Sequence, residues 1–387
     1  MQNFIFENPT KIIFGQGQIS RAGKEVARFG RTVLLVYGLE SIKKNGIYDQ
    51  VTASLREAGL TIVEFPGVKS NPVLSHTLKG IALAREKQAD VVLAVGGGSV
   101  IDTAKTIAAG VKVDHDVWDL FTYKKPIQSA LPVLTVLTLS ASASEMNAAA
   151  VMTREEGLQK FSIRSLHIQP RVSILDPTAL FTLSPAYSAY SAVDAIAHML
   201  ESYFNNTEPD SPMQDRLVEG LMRTIMERTE IILKEPDNYA ARADMMWATT
   251  WAFNGLTSAG MGAISLPVHM IEHSLSAIYD VAHGAGLSIV MPAWMHYTLD
   301  RNARKLARLA REIFQISGRD ERLAAIAGIE RLKTWFNDIG SPTSLKDVGI
   351  HDEDIDKIAE NAAVLAQVWQ LKDYTKEIIA DILRQCR

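Results

Sequence analysis

The sequence has little cysteine, no long apolar run and no excess of positive charge. Its one cysteine, Cys386, excludes a disulfide framework and a metal centre built from thiolates. No apolar run reaches the ~18 residues that cross a bilayer. A net charge of −4 leaves no basic surface for nucleic acid or for an anionic membrane. We therefore expect neither a membrane protein nor a nucleic-acid-binding protein.

The amino end and the chain length indicate a cytoplasmic protein of two domains. The first residues, MQNFIFENPTKIIFG, lack the charged and apolar regions of a secretory signal peptide. Because 387 residues exceed what one hydrophobic core usually supports, we expect two domains.

The first half of the chain alternates short β-branched runs with helical patterns. We predict strands at residues 11–14, 32–37, 61–65, 91–95 and 134–139, and helices over 51–58 and 73–87. Runs such as VLLV and VVLAV are typical of parallel strands that are buried on both faces. This alternation predicts an open parallel sheet with helices on both faces.

The pattern changes once, close to Asp176-Pro177. Beyond it, long amphipathic stretches rich in Ala, Leu, Met and Arg predict an all-α region. Proline there disfavours a helix that runs through the boundary. We therefore predict an α/β domain over 1–178 and a helical domain over 179–387.

A carboxylate and several imidazoles lie in the apolar second half. Asp194 and His198 are four residues apart in SAVDAIAHMLE, so a helix places both on one face. His269, His273 and His283 follow in VHMIEHSLSAIYDVAHGAG. Three neutral imidazoles and one carboxylate suit a divalent ion such as Fe, Zn, Mn or Co. The alternative is a set of core histidines that hydrogen-bond to protein groups.

Two glycine-containing turns in the first half are candidate nucleotide sites. LAVGGGSVIDTAK is a buried strand, a triple glycine and a helix, which suits a phosphate at the helix N-terminus. Gly38-Leu39-Glu40-Ser41 follows an earlier strand, where Glu40 is suited to accept from a ribose hydroxyl. The alternatives are a tight turn with a helix cap and a solvated loop charge.

The motifs together resemble the iron-containing (group III) alcohol dehydrogenases, in particular their butanol dehydrogenase and NAD(P)H-dependent aldehyde reductase branch. The resemblance runs nearly end to end and is carried by NPTKIIFGQGQI, GVKSNPVLS, LAVGGGSVIDTAK, SILDPTALFTLS, AVDAIAHMLE and IEHSLSAIYDVAHGAGLSIVMPAWM. It implies a dehydroquinate synthase-like fold, in which a Rossmann-like domain and a helical domain enclose a cleft for metal and nicotinamide. It also implies a homodimer or a higher homo-oligomer.

The resemblance also implies the site residues. The metal ligands would be Asp194, His198, His269 and His283, with iron or zinc ahead of manganese or cobalt. His273 would be a proton donor or relay rather than a ligand. Residues at the cofactor would be Gly38, Leu39, Glu40, Ser41, Asn71, Gly97, Gly98, Ser99, Asp102, Thr138, Leu139, Ser142, Asn147 and Lys160.

Three positions depart from the family pattern. Ala143 stands where the family usually has glycine in T-G-S-E, so its methyl group is predicted to alter the fit of the cofactor. Glu40 stands in a loop that is G-G-G-S in close relatives, and it favours NADH over NADPH because a carboxylate repels a 2′-phosphate. Leu266 stands where relatives often have Trp, which predicts a remodelled substrate pocket.

The predicted activity is the interconversion of small to medium alcohols and aldehydes by hydride transfer. Trp251, Phe253 and Leu266 are candidate pocket residues or, equally, helix core. One alternative is a metal- and NAD-dependent lyase of the dehydroquinate synthase type. That lyase needs a basic pocket, and Arg216 and Arg242 are the nearest cations in sequence. A non-catalytic nucleotide- or metal-binding protein is the other alternative.

Overall fold

The structure, a computed structural model, describes residues 1–207 and 211–387. Its strands are β1 Lys11–Phe14, β2 Thr32–Tyr37, β3 Thr61–Phe65, β4 Val91–Gly96, β5 Val133–Leu137, β6 Ala149–Arg154, β7 Gln159–Arg164 and β8 Val172–Leu175. Its first helices are α1 Ala22–Val26, α2 Ser41–Lys44, α3 Ile47–Glu57, α4 Leu74–Glu86, α5 Gly98–Gly110 and α6 Trp118–Phe121. The later helices are α7 Pro185–Phe204, α8 Pro212–Lys234, α9 Tyr239–Ala252, α10 Pro267–Tyr279, α11 His283–Tyr297, α12 Leu299–Phe314, α13 Glu321–Asp338, α14 Ile355–Val368 and α15 Lys376–Arg384.

Six strands form one parallel sheet in the order β1-β8-β5-β4-β2-β3, which confirms the predicted α/β fold. The central strands β2 and β4 are almost entirely buried, as their continuous apolar runs predict. Strand β2 packs through Val33 and Leu35 on the same apolar cluster as Val51 and Leu55 of α3.

Three strands were absent from the sequence prediction. Strand β8, VSIL, is short and its apolar run is interrupted by Ser173, which weakens the local signal. Strands β6 and β7 form a separate antiparallel pair whose charged residues interrupt the apolar alternation. Predicted strands 11–14, 32–37 and 61–65 have the observed bounds, and the other two differ by one or two residues at an end.

The chain forms two compact units that exchange two short segments. One unit is helical and contains Met1–Phe6, Ser184–Glu235 and Trp251–Arg387; the other contains Glu7–Leu183 and Pro236–Thr250. The all-α character of the later chain is confirmed by α7 to α15. The functional domains 1–178 and 179–387 stay a prediction. No helix in the described ranges is both long and apolar enough to cross a membrane.

Candidate metal centre and dinucleotide-binding loops

Helix α7 carries the first two candidate ligands on one buried face. It begins at Pro185 behind the N-cap Ser184, whose hydroxyl accepts from the amide of Tyr187. Asp194 and His198 are 4% and 6% exposed and lie one turn apart. The Nδ1 atom of His198 is 2.9 Å from the backbone oxygen of Asp194. Nδ1 is the donor in this hydrogen bond, so the lone pair of Nε2 is free to bind a metal ion.

Helix α10 brings His269 to the same place with the help of a buried glutamate. Glu201, one turn after His198 on α7, is completely buried. One of its oxygens accepts from the amide of Val268 at 2.5 Å, and the other contacts Nδ1 of His269. The carboxylate therefore satisfies an unpaired amide of the first turn of α10 and fixes the ring of His269.

Helix α11 begins at His283, which a second buried glutamate orients. Glu272 of α10 is completely buried and contacts Nδ1 of His283. The next residue, Gly284, lies so close to α7 that a β-carbon there would be 2.3 Å from the carbonyl oxygen of Tyr190. Only glycine permits this approach, which brings the start of α11 against the helix that carries Asp194.

Two candidate ligands on other helices converge on the Oδ1 atom of Asp194. It lies 3.7 Å from Nε2 of His269 and 3.7 Å from Nε2 of His283. Two donors bonded to one ion at about 2.1 Å stand roughly 3–4 Å apart, so these spacings suit a shared ion. Asp194, His198 and His269 form a group whose donor atoms lie within 4.8 Å of one another.

Two of these donor atoms have unmet bonding capacity. Within the described ranges, Oδ1 of Asp194 and Nε2 of His269 are buried and have no hydrogen-bond partner. Buried polar atoms normally have partners, and an unpaired carboxylate oxygen beside an unpaired imidazole nitrogen is a donor pair that suits a cation. The residues present therefore fit one divalent metal ion, as the sequence predicts.

The charge states of these groups are consistent with an ion at their centre. Burial opposes ionisation of Asp194, but the neighbouring imidazoles hold its pKa well below its usual range. Burial and the charge of His269 lower the pKa of His198. Burial disfavours a charged His269, yet Glu201 and Asp194 raise its pKa to about 10, so a bound ion would displace a proton there.

His273 lies beside this group, and a donor atom of its ring lies within 4.8 Å of donor atoms of Glu272 and His283. It is 3% exposed, and its ring is 5.7 Å from that of His283 and 5.5 Å from that of Trp369. Among the candidate pocket residues, Phe253 packs on His198 with ring centroids 4.2 Å apart. Leu266 is the N-cap of α10, half-buried, and Trp251 lies near the end of α9. The proton-relay role of His273 stays a prediction.

The candidate nucleotide residues follow the carboxyl ends of three adjacent strands. Gly38 follows β2, Gly97 follows β4 and Thr138 follows β5, and the sheet order places these strands side by side. The chain leaves β2 towards β3 on one side and leaves β4 towards β5 on the other. This reversal is the topological switch point, where open parallel sheets bind ligands.

The glycine turn before α5 is tightly packed. A β-carbon on Gly97, the N-cap of α5, would lie 2.9 Å from that of Leu139, and one on Gly98 would lie 2.5 Å from the hydroxyl of Ser142. Ser99 donates to the carbonyl oxygen of Ser70. Glycine thus keeps the first turn of α5 accessible between its neighbours, as a phosphate site requires.

Other predicted cofactor residues are engaged within the protein. Asn71 accepts from Lys160 Nζ at 3.2 Å, and both side chains are buried. Asp102 accepts from the Ser144 hydroxyl at 2.6 Å and from the Val151 amide at 2.8 Å. Burial raises the pKa of Asp102 despite the nearby Lys105.

Lys105 is a functional candidate that sequence reasoning missed. It is completely buried, and its Nζ donates to Ser144, to both oxygens of Asn147 and to the carbonyl oxygen of Ala149 at 2.7–3.1 Å. Burial lowers its pKa to about 8. It thereby orders the loop that contains Ala143, whose methyl group is completely buried rather than open to a ligand. A charged residue inside the apolar helix IDTAKTIAAG was the available signal.

The loop after β2 is the most exposed part of the predicted nucleotide site. Leu39 is 63% exposed, and Glu40 forms an exposed ion pair with Lys43 at 3.5 Å. The Gly38 carbonyl accepts from the amide of Gly67. The carboxylate of Glu40 is therefore free to move, since an exposed ion pair is weak.

Comparison with known proteins identifies the family from nearly the whole length of the chain. The profile "Iron-containing alcohol dehydrogenase" matches residues 9–177, and "Fe-containing alcohol dehydrogenase family, C-terminal" matches residues 188–386. The chain belongs to the iron-containing alcohol dehydrogenase family. This membership confirms the predicted family, fold and reaction class, and it favours a dehydrogenase over the lyase and the non-catalytic alternatives.

Individual relatives of the family cover nearly the whole chain. It is 42% identical over 386 residues to the probable NADH-dependent butanol dehydrogenase 1 of Bacillus subtilis, covering 99% of each sequence. It is 37% identical to the NADPH-dependent aldehyde reductase YqhD of Escherichia coli, covering 100% of each. The crystal structure of NADH-dependent butanol dehydrogenase A from Thermotoga maritima superposes with a TM-score of 0.96 at 44% identity, covering 100% of this chain and 99% of that one.

Two further residues beside the candidate ligands were missed from sequence, Glu201 and Glu272. Each lies three residues after a candidate ligand on the same helix, in HMLE and HMIE. A carboxylate one turn from a histidine in an apolar helix was the available signal, because metal-binding imidazoles commonly donate their other nitrogen to a carboxylate.

Proposed function

We propose that this protein interconverts small to medium aldehydes and primary alcohols with NAD(H) or NADP(H) and one divalent metal ion. The observation that carries the proposal is the convergence of the His269 and His283 Nε2 atoms on Oδ1 of Asp194, with His198 in the same group and two donor atoms left unpaired among the described residues. Asp194, His198, His269 and His283 would hold the ion.

The chemistry divides between bound groups and the chain. A bound ion supplies a Lewis acid for the carbonyl oxygen, and the reduced nicotinamide supplies the hydride. The chain's own part is to keep His198 neutral, to orient His269 and His283 through Glu201 and Glu272, and to supply a proton. His273, buried beside His283, is the proposed proton donor. Phe253 packs on His198, which supports an apolar environment at the substrate.

NADH is the proposed preferred coenzyme, because Glu40 follows β2 where an acidic residue disfavours a 2′-phosphate. The two relatives above differ in this respect, one named for NADH and the other for NADPH. The proposed resident metal is iron or zinc, and the proposed setting is a cytoplasmic homodimer or higher homo-oligomer.

Coenzyme oxidation tests the proposal directly. Purified protein loaded in turn with Fe, Zn, Mn or Co is mixed with butyraldehyde and NADH or NADPH, and absorbance of the nicotinamide is followed. His269→Ala and His283→Ala should each lose bound metal and turnover. His296→Ala is the matched control, because His296 lies on α11 and bonds to the exposed Glu330. No oxidation with any of the four metals would refute the activity, and a fully active His283→Ala variant would refute the ligand set.

A further inference from the structure

A cavity lies within the helical unit, at the end of α7 and beside α12. It encloses about 630 Å³, a volume in the range of small-molecule sites. None of its lining residues is a candidate metal ligand or a candidate nucleotide residue. The lining consists of Tyr203, Phe204, Asn205, Asn206, Thr207, Pro212, Asp215, Ala263, Ile264, Ser265, Arg301, Asn302, Arg304, Lys305 and Arg308.

One face of α12 makes this cavity positively charged. Four of the five cations of α12, at positions 301, 304, 305 and 308, line the cavity, and their helical spacing places them on one face. Lys305 is 2.9 Å from a carboxylate oxygen of Asp215, and Arg308 binds both oxygens of Glu219. Within 1–207 and 211–387, no carboxylate forms an ion pair with Arg301 or Arg304. Among the described lining residues there is thus more positive than negative charge, although the whole chain is acidic.

The cavity also contains buried donors without acceptors. In the described parts of the chain, Nδ2 of Asn205 and Nδ2 of Asn302 are buried and have no hydrogen-bond partner. Lys305, by contrast, is paired with Asp215, and its Nζ also lies 4.6 Å from the centre of the Tyr203 ring. Arg301 donates to Oδ1 of Asn205 at 3.3 Å, which fixes that amide with its nitrogen unused. Buried donors of this kind are unfavourable unless a ligand or water accepts from them.

We propose that this cavity binds a phosphorylated small molecule. A phosphate group offers several strong acceptors and negative charge, which match two guanidinium groups that lack a carboxylate partner and two amide donors. Phe204 and Ile264 provide apolar walls for the carbon part of such a ligand. The volume exceeds that of a free phosphate ion, so an ester of phosphate fits better than the ion alone.

Calorimetric titration at low salt tests this site with ribose 5-phosphate, inorganic phosphate and ribose as probes. The double variant Arg301→Ser/Arg304→Ser should bind ribose 5-phosphate about tenfold or more weakly than the unmodified protein, because two charge-assisted contacts are lost. The matched control is Arg311→Ser, on the same helix outside the cavity, and it should retain binding. Ribose should not bind.

A second variant separates the loss of a hydrogen-bond donor from the loss of charge. Asn302→Leu removes one unpaired donor without changing the net charge, and it too should weaken ribose 5-phosphate binding. Tighter binding of the ester than of inorganic phosphate supports the proposal as stated, and equal binding supports the same site for the free ion. The proposal is overturned if the unmodified protein binds neither phosphate probe, or if it and the double arginine variant bind them equally.

Discussion

Glu201 is the residue whose contacts explain most about the candidate metal centre. It is on the same helix as His198, yet it bonds to the amide of Val268 and the ring of His269 on another helix. A single buried carboxylate therefore ties α7 to α10 and fixes which nitrogen of His269 faces Asp194. Glu272 does the same for His283. Both act on the ion only through a histidine, so we regard them as positioning residues.

Replacing Glu201 should weaken metal binding more than it weakens the fold. Glu201→Gln keeps the size and one acceptor but loses the negative charge opposite Nδ1 of His269. We expect metal affinity to fall by roughly 10- to 100-fold, as is typical when such a partner is removed. Competition with a chelator measures the affinity, and circular dichroism checks the fold. The exposed Glu360→Gln on α14 serves as control; equal affinities in the two variants would contradict the role.

Glu40 should influence the choice of coenzyme. Glu40→Gly removes an exposed carboxylate from the loop after β2, and with it the repulsion of a 2′-phosphate. We expect the ratio of kcat/KM for NADPH to that for NADH to rise about fivefold, which corresponds to ~1 kcal/mol for an exposed charge. Glu40→Gln is the companion variant, because it removes the charge without adding a glycine. It should raise the same ratio. An unchanged ratio would show that Glu40 does not contact the coenzyme.

At the scale of single elements, several helices end in a left-handed residue that is not glycine. Helix α4 ends at Glu86, and Gln88, with φ 51°, follows it in the left-handed region. Its amide and that of Ala89 bond back to Arg85 and Ala84, which closes the helix. A side chain in this conformation costs free energy that glycine does not incur.

Gln88→Gly should therefore stabilise the protein. Gln88 is exposed, so its replacement removes no buried contact. We expect the free energy of unfolding to rise by about 0.5–1 kcal/mol, after allowance for the greater freedom of glycine in the unfolded chain. Urea denaturation measures the change. Gln88→Ala retains the strained backbone and should not stabilise; equal stabilisation by both variants would refute the explanation.

At the scale of the whole molecule, the two candidate sites belong to different compact units. The four candidate ligands and their two glutamates lie in the helical unit, and the nucleotide loops lie in the unit of the parallel sheet. The contacts described above for each site join residues of the same unit. Loss of one bound group should therefore leave the binding site of the other intact.

Two variants test this independence. His269→Ala should lose bound metal and retain coenzyme binding. Gly97→Ala should weaken coenzyme binding by about tenfold or more, because its β-carbon crowds the turn before α5, and it should retain the metal. Elemental analysis and fluorescence titration with NADH on the same preparations measure both quantities. Loss of both groups in either variant would contradict independent sites.

The sequence by itself determined the parallel sheet, the helical second half, the family and the types of residue at the candidate site. The family follows from the resemblance of its motifs, and the rest follows from local signals: continuous β-branched runs, a glycine turn before a helix, and imidazoles in apolar helices. Strands interrupted by polar or charged residues, such as β8 and β7, carried too weak a local signal to be predicted.

Only the tertiary structure decided which partners complete the sites. Glu201 and His269 are 68 residues apart, Lys105 and Asn147 are 42 apart, and no local pattern pairs them. It also showed that the methyl group of Ala143 is buried and that the carboxylate of Asp102 accepts hydrogen bonds from Ser144 and Val151. The physical reason is that a buried polar group must find a partner wherever the fold brings one near, and that depends on packing between elements rather than on spacing along the chain.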